Sequence, residues 1–297
     1  MTTAALTPIL ASQPTFLLTQ NAYAPIGVFD SGVGGLSVLT HLVNELPHES
    51  FIYLADTLHV PYGSRHPDDI QTLTLQAVDW LVTQGCKLVV IACNTASAHG
   101  LQAVRQRHPE LLVVGLVPAL KPAVINSQTQ QVAVLATPAT LHGELLNTVI
   151  EQIAVPKGVN VHKYSLASLV PWVEAGMPTQ HVAVNELDTL LKALIDNQID
   201  YLVLGCTHYP FFKAYLKEKI DQLIAAPQQL NLIDSGQAIA RRVASLLHQH
   251  HCANTHTAYG QLQFFTTANL PMTQQVASRL LTQFLPDMTT HFYAVTL

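Results

Sequence analysis

The 297-residue chain is short of charge: Asp, Glu, Lys and Arg make up 11% of it, against about 25% in an average soluble protein. Apolar residues account for 49%, so the shortage reflects extensive burial and excludes a disordered chain. Basic clusters are missing apart from Arg241–Arg242, and the net charge is −5. No electrostatic footprint for nucleic acid results. No apolar run approaches the roughly 18–20 residues that span a bilayer, so no membrane partner is expected. Lys and Arg are absent from the first 24 residues, and with them the basic start of a secretory signal. A cytoplasmic protein is expected, with residues 1–25 as a loosely docked leader. Cysteine is scarce too. Cys86, Cys93, Cys206 and Cys252 are the only four, their spacing matches no zinc pairs, and a chain of this size needs no disulfide staples. No metal site is expected, and all four are expected to be free thiols.

What is present is a regular alternation. "PIGVFD", "ESFIYLAD", "CKLVVIAC", "LLVVGLV", "QVAVLAT", "DYLVLGC" and "NLIDSG" read as buried strands, several too continuously apolar for a half-exposed sheet. Helix-like segments lie between them. Asp68 to Gln84 has an acidic first turn and Gly85 just beyond, and His181 to Gln198 reads the same way. The pattern predicts an α/β fold built from βαβ units with mostly parallel sheets. In such sheets function sits beyond the carboxyl ends of the strands.

The chain also echoes itself. "KLVVIACNT" laid over "DYLVLGCTH" aligns Lys87 with Asp200 and Cys93 with Cys206, and "IGVFDSG" resembles "VAVLATP". Two related lobes are predicted, each a mostly parallel sheet flanked by helices, with the active site in the cleft between them. Residues 26–118 plus 230–297 would form the first lobe and 119–229 the second.

Four stretches suit ligand chemistry. In "FDSGVGGLSVL", Gly32, Gly34 and Gly35 fit either an anion-binding helix start or a plain tight turn. After another strand, Pro61-Tyr62-Gly63-Ser64 could offer backbone amides and a hydroxyl to a carboxylate, or be a plain loop. Cys93 leads into Asn94-Thr95 and Cys206 into Thr207-His208, polar groups that suit the carboxylates and ammonium of an amino acid. A lone cysteine after a strand is ordinarily a small buried hydrophobe, a reading that fits Cys86 and Cys252. For Cys93 and Cys206 it would have to hold twice in matching contexts. A thiol at a helix start is expected to be easily ionised. Two such thiols on either side of one substrate would move a proton from one face of a carbon to the other, each acting as base in one direction and acid in the other. None of the eight lysines sits at a strand end beside a phosphate cradle, so no pyridoxal phosphate is expected. A thiol hydrolase using Cys206 with His208, and a two-lobed amino-acid-binding protein, remain alternatives at this level.

The motifs "GVFDSGVGGLSVL", "YLAD…PYGSR", "ACNTAS", "LVPWVEAG", "LGCTHYP" and "LIDSG", in this order, resemble those of the glutamate racemases within the aspartate/glutamate racemase family. The resemblance covers nearly the whole chain beyond the leader. It implies cofactor-independent racemisation of glutamate, supplying the D-enantiomer for peptidoglycan, with Cys93 removing the proton from D-glutamate and Cys206 from L-glutamate. Asp30, His208 and Glu174 are implied as assisting groups. Implied substrate contacts are Asp30, Ser31, Pro61, Tyr62, Gly63, Asn94, Thr95, Thr137, Thr140, Thr207 and His208. An aspartate-specific relative would typically carry glutamate after "CT", where this chain has His208. One departure is Ala136, where the family usually has glycine. The resemblance also allows a homodimer and an activating cell-wall precursor, the long leader being a feature of members that respond to one.

Overall fold

A computed structural model describes residues 21–223, 229–268 and 270–297. Most of the expected leader therefore lies outside the described residues. The elements run β1 (Ile26–Asp30), α1 (Leu36–Glu45), β2 (Phe51–Ala55), α2 (Pro67–Thr83), β3 (Leu88–Ile91), α3 (Asn94–Arg107), β4 (Leu112–Gly115) and α4 (Leu120–Asn126). There follow β5 (Gln131–Leu135), α5 (Pro138–His142), α6 (Glu144–Val149), β6 (Asn160–Tyr164), α7 (Leu169–Glu174), α8 (Val182–Asp196) and β7 (Tyr201–Leu204). The chain ends with α9 (Lys213–Leu223), β8 (Asn231–Ile233), α10 (Gly236–Gln249), β9 (Leu262–Thr266), α11 (Leu270–Phe284) and β10 (Thr290–Ala294).

Two sheets result. One has the order β10-β9-β2-β1-β3-β4 and the other β6-β5-β7-β8, and every ladder between described strands is parallel. The predicted α/β architecture of two lobes is what the structure has. β1, β2 and β3 are buried along their whole length, which is why they read as unbroken apolar runs.

Local chemistry sets the helices. α2 begins on Pro67, with His66 accepting from the Asp68 N–H and Asp68 and Asp69 in the first turn, all favourable at the positive end of the helix dipole. Gly85 follows it in a left-handed conformation, φ +77°. α8 buries Leu187, Leu190, Leu191 and Leu194, one face of a helix at its own period.

The chain crosses between the sheets twice, after β4 and after β8, and Ser235 Oγ donates to Val117 O at 2.7 Å to tie the crossings together. The second crossing corrects the expected boundary at residue 230. β8 pairs with β7, because the strand completes the edge of the second sheet before the chain leaves it. α10 then packs along α1 of the first sheet.

The internal echo extends to the amino ends of β3 and β7. Lys87 is fully buried, donating to Glu49 Oε2 and Ala22 O, both at 2.6 Å, and to Cys252 O at 2.9 Å. Asp200, its counterpart, accepts from the N–H groups of Gln128 and Thr129 and from Ser127 Oγ. Both residues pin the floor of a sheet, opposite the ends that carry the cysteines. Among the described residues no helix is long and apolar enough to cross a membrane.

Candidate active site

On the first-lobe side, β1 ends on Asp30, which is fully buried. Its Oδ1 accepts from the Gly32 N–H at 2.7 Å and its Oδ2 from Thr207 Oγ1 at 3.1 Å. Burial holds this carboxyl above the usual carboxylate range, against the lowering influence of His208 and these hydrogen bonds. β3 ends two residues before Cys93, which caps α3, its Sγ accepting from the Ala96 N–H at 3.4 Å and lying 3.5 Å from Ser31 Oγ.

Here the structure corrects the expectation of an easily ionised thiol. Burial pushes Cys93 up to about 12, and the Asp30 carboxylate and the Cys206 sulfur push in the same direction. The helix start and Ser31 pull it down by less. A proton on this sulfur is held firmly, and once removed it leaves a strong base.

On the facing side, β7 leads through Gly205 to Cys206, Thr207 and His208. Burial alone would lower the His208 imidazole, but hydrogen bonds with Cys206 and with Glu174 outweigh it and push the ring up to about 10. His208 Nε2 stands 2.9 Å from Glu174 Oε1, the Glu174 backbone being delivered by the last residue of α7. An imidazolium at neutral pH therefore lies beside the second sulfur. The glycines of the first turn make this approach possible: a Cβ at Gly34 would fall 2.4 Å from His208 Nδ1 and 2.5 Å from Thr207 Oγ1. The "FDSGVGG" turn is a close-packing turn.

These groups wall one cleft of about 420 Å³. Of the expected site residues, Ser31, Pro61, Tyr62, Gly63, Cys93, Asn94, Thr95, Thr137, Glu174, Cys206, Thr207 and His208 line it. Asp30 and Thr140 do not. Asp30 sits behind Gly32 and Thr207, and Thr140 braces Thr137 and Thr95 through hydroxyl contacts of 2.9 and 3.3 Å. Asn94 Oδ1 is buried with no hydrogen-bond partner among the described residues, an acceptor left for a donor from the cleft. Among the described residues no Lys or Arg lines the cleft; an anionic ligand would meet backbone amides, hydroxyls and the His208 imidazolium.

The sequence reading missed part of the wall. Ser165, Leu166 and Ala167 follow β6, and Val170 and Pro171 precede Glu174 on α7. It also missed Asp56, fully buried at the end of β2, which takes the Tyr62 OH at 2.6 Å and Thr267 Oγ1 at 2.8 Å and lies 2.9 Å from the His59 ring. The signal available was a carboxylate at a strand end, the feature that singled out Asp30.

The family model described as Asp/Glu/Hydantoin racemase matches residues 26–243. The glutamate racemase of Deinococcus radiodurans is 47% identical over 245 residues, which cover 82% of this chain and 82% of that protein. Among solved structures, glutamate racemase from Francisella tularensis in complex with D-glutamate superposes with a TM-score of 0.78 at 28% identity, covering 93% of this chain and 98% of that one. Escherichia coli glutamate racemase in complex with L-glutamate and the activator UDP-MurNAc-Ala gives 0.73 at 31% identity, covering 92% and 98%. Fold and matches together define the class, an α/β isomerase of two parallel-sheet lobes. The chain belongs to the Asp/Glu/hydantoin racemase family.

Proposed function

We propose that the chain interconverts L- and D-glutamate without a cofactor, by a two-base transfer between Cys93 and Cys206. The observation that carries the reading is that both cysteines, delivered by the ends of β3 and β7 in different sheets, line the same cleft. In the D-to-L direction the Cys93 thiolate takes the α-proton, breaking the C–H bond and forming S–H. The electron pair stays on carbon in a planar carbanion. The Cys206 thiol then delivers its proton to the opposite face and is left as thiolate. The reverse reaction exchanges the roles.

An amino-acid α-proton is very weakly acidic, so the base must be strong and the carbanion must be stabilised in a water-poor site. A Cys93 thiol held near 12 meets the first need, because a conjugate base that binds its proton tightly removes one readily. The His208 imidazolium beside Cys206 suits the second side: it can supply the proton that Cys206 gives up. Asp30, raised by burial and bonded to Thr207, adds a carboxyl behind the first turn that helps position and recharge Cys93.

Binding would follow from the wall. The amides of Tyr62 and Gly63 with the hydroxyls of Thr95 and Thr137 suit the carboxylates, and Asn94 Oδ1, without a partner among the described residues, suits the ammonium group. We place the reaction in the cytoplasm, as the source of D-glutamate for peptidoglycan. A homodimer and activation by a cell-wall precursor, of the kind bound in the Escherichia coli structure, belong to the same proposal. Light scattering and the response of turnover to UDP-MurNAc-Ala test them.

The test of the activity is circular dichroism of D-glutamate incubated with dialysed protein and no added cofactor. The expected result is decay of the signal to zero, with D-aspartate turned over far more slowly. A signal that stays constant would overturn the reading.

A further inference from the structure

Glu174 reaches His208 from a poorly secured position. Its side chain is 36% exposed, whereas that of His208 is 8% exposed, so burial does not fix the carboxylate; its backbone must. That backbone is the last residue of a six-residue helix, α7, whose final carbonyls have no partners within the helix.

A donor to two of these carbonyls comes from the other lobe. Arg279, in the middle of α11, donates from Nη2 to Val173 O at 3.1 Å and to Glu174 O at 2.8 Å. Val173 O also accepts from the Gly176 N–H at 3.0 Å, so Arg279 is a second donor there and the side-chain donor to Glu174 O; a guanidinium at a helix C-terminus is also favoured by the helix dipole. The turn that follows is shaped for it. Gly176 is left-handed at φ +90°, and a Cβ there would fall 2.9 Å from Arg279 Nη1. A side chain at this position would be strained by its backbone and would meet the guanidinium. On its own side α7 is anchored by Trp172, fully buried against Phe212 and Tyr215 and donating to Pro178 O at 3.0 Å. α11, by contrast, packs on α1 and β10 of the first lobe.

We propose that Arg279 is a positioning residue: clamped on the C-terminal end of α7, it holds the Glu174 carboxylate against His208 and so couples the first lobe to the acid–base group beside Cys206. The role rests on the racemase reading for its catalytic consequence, but not for its structural one.

The sign of the effect separates positioning from simple charge. The groups that face His208 are Cys206 from its own loop, Glu174 from α7 and Asp30 from β1. Direct removal of a nearby cation would make the imidazolium easier to keep and would raise its titration point. Loss of the Glu174 contact takes away one of the interactions that hold the proton, and would lower it.

The test is NMR titration of the His208 ring in wild type, Arg279→Ala and Arg279→Lys, with the resonance identified by its loss in His208→Gln. Arg279→Ala is expected to titrate lower by on the order of one pH unit, with Arg279→Lys in between. In the racemase assay kcat should fall about tenfold while KM stays within about twofold. An unchanged or raised His208 titration in Arg279→Ala would overturn the proposal. Wild-type protein that titrates as expected yet fails to racemise glutamate would overturn the proposed function and leave the clamp standing.

Discussion

Replacing Lys87 with Met is the sharpest test of what holds the first lobe together. The ammonium has no exposed surface and ties together three segments distant in sequence, through Glu49, Ala22 and Cys252. A Met side chain fills much the same volume, so the change isolates charge and hydrogen bonding. Glu49 would keep the Asn254 N–H at 2.8 Å on Oε1, but Oε2 would lose its cation, and two carbonyls would lose a donor. Breaking a buried pair from one side costs about 3–5 kcal/mol. In a chain of this size that lowers the melting temperature on the order of 10 °C. Urea unfolding followed by far-UV circular dichroism measures it, and removing the stranded charge in the double variant Lys87→Met/Glu49→Leu should recover a substantial part of the loss. Because Lys87 lies at the amino end of β3 and Cys93 beyond its carboxyl end, kcat at low temperature should stay within about twofold of wild type. A destabilisation below about 1 kcal/mol would refute the idea that this buried pair anchors the sheet.

Gly34→Ala should displace His208 and Thr207, since its Cβ would intrude to 2.4 Å, and a shift of about 1 Å at a proton-transfer group costs roughly a hundredfold in turnover; near-normal kcat would count against the tight packing of this turn. Asp56→Asn should loosen the Tyr62–Gly63 edge of the cleft by weakening the 2.6 Å bond from Tyr62, raising KM for glutamate several-fold more than it lowers kcat, as steady-state kinetics would reveal. Stability should fall on the alkaline side. His208 is raised from 6.5 to about 10 and Cys93 from 9.0 to about 12, so both hold protons more tightly when folded. The His208 contribution is complete below pH 6.5 and lost as pH rises through about 10, and the Cys93 contribution is lost between 9 and about 12. Urea midpoints measured from pH 6.5 to 10.5 should decline, and less steeply in His208→Gln.

The central strands were legible because parallel strands buried on both faces must be written as apolar runs, as "KLVVIAC" and "DYLVLGC" are. α2 and α8 were legible within one or two residues from caps and periodicity. β6, β9 and β10 were not. "NVHKY" and "THFYA" lie at sheet edges with mostly exposed or half-exposed side chains, and carry no strong apolar signal. Missing β6 also hid the Ser165–Ala167 wall of the cleft that follows it. The cysteines stood out through their matching contexts. The ionisation of Cys93 did not, because burial and the neighbouring Asp30 outweigh the local helix start, and neither is visible along the chain. Arg279 was equally silent: its partners are two backbone carbonyls about a hundred residues away, and a backbone oxygen leaves no mark on sequence.

The two-base assignment is tested most directly by deuterium entry at the α-carbon of each enantiomer in heavy water, using wild type, Cys93→Ala and Cys206→Ala. Wild type should label both enantiomers and interconvert them. Cys206→Ala should exchange D-glutamate alone and Cys93→Ala L-glutamate alone, neither inverting the centre. Inversion at close to the wild-type rate in either single variant would mean that one sulfur suffices, and the account would be wrong.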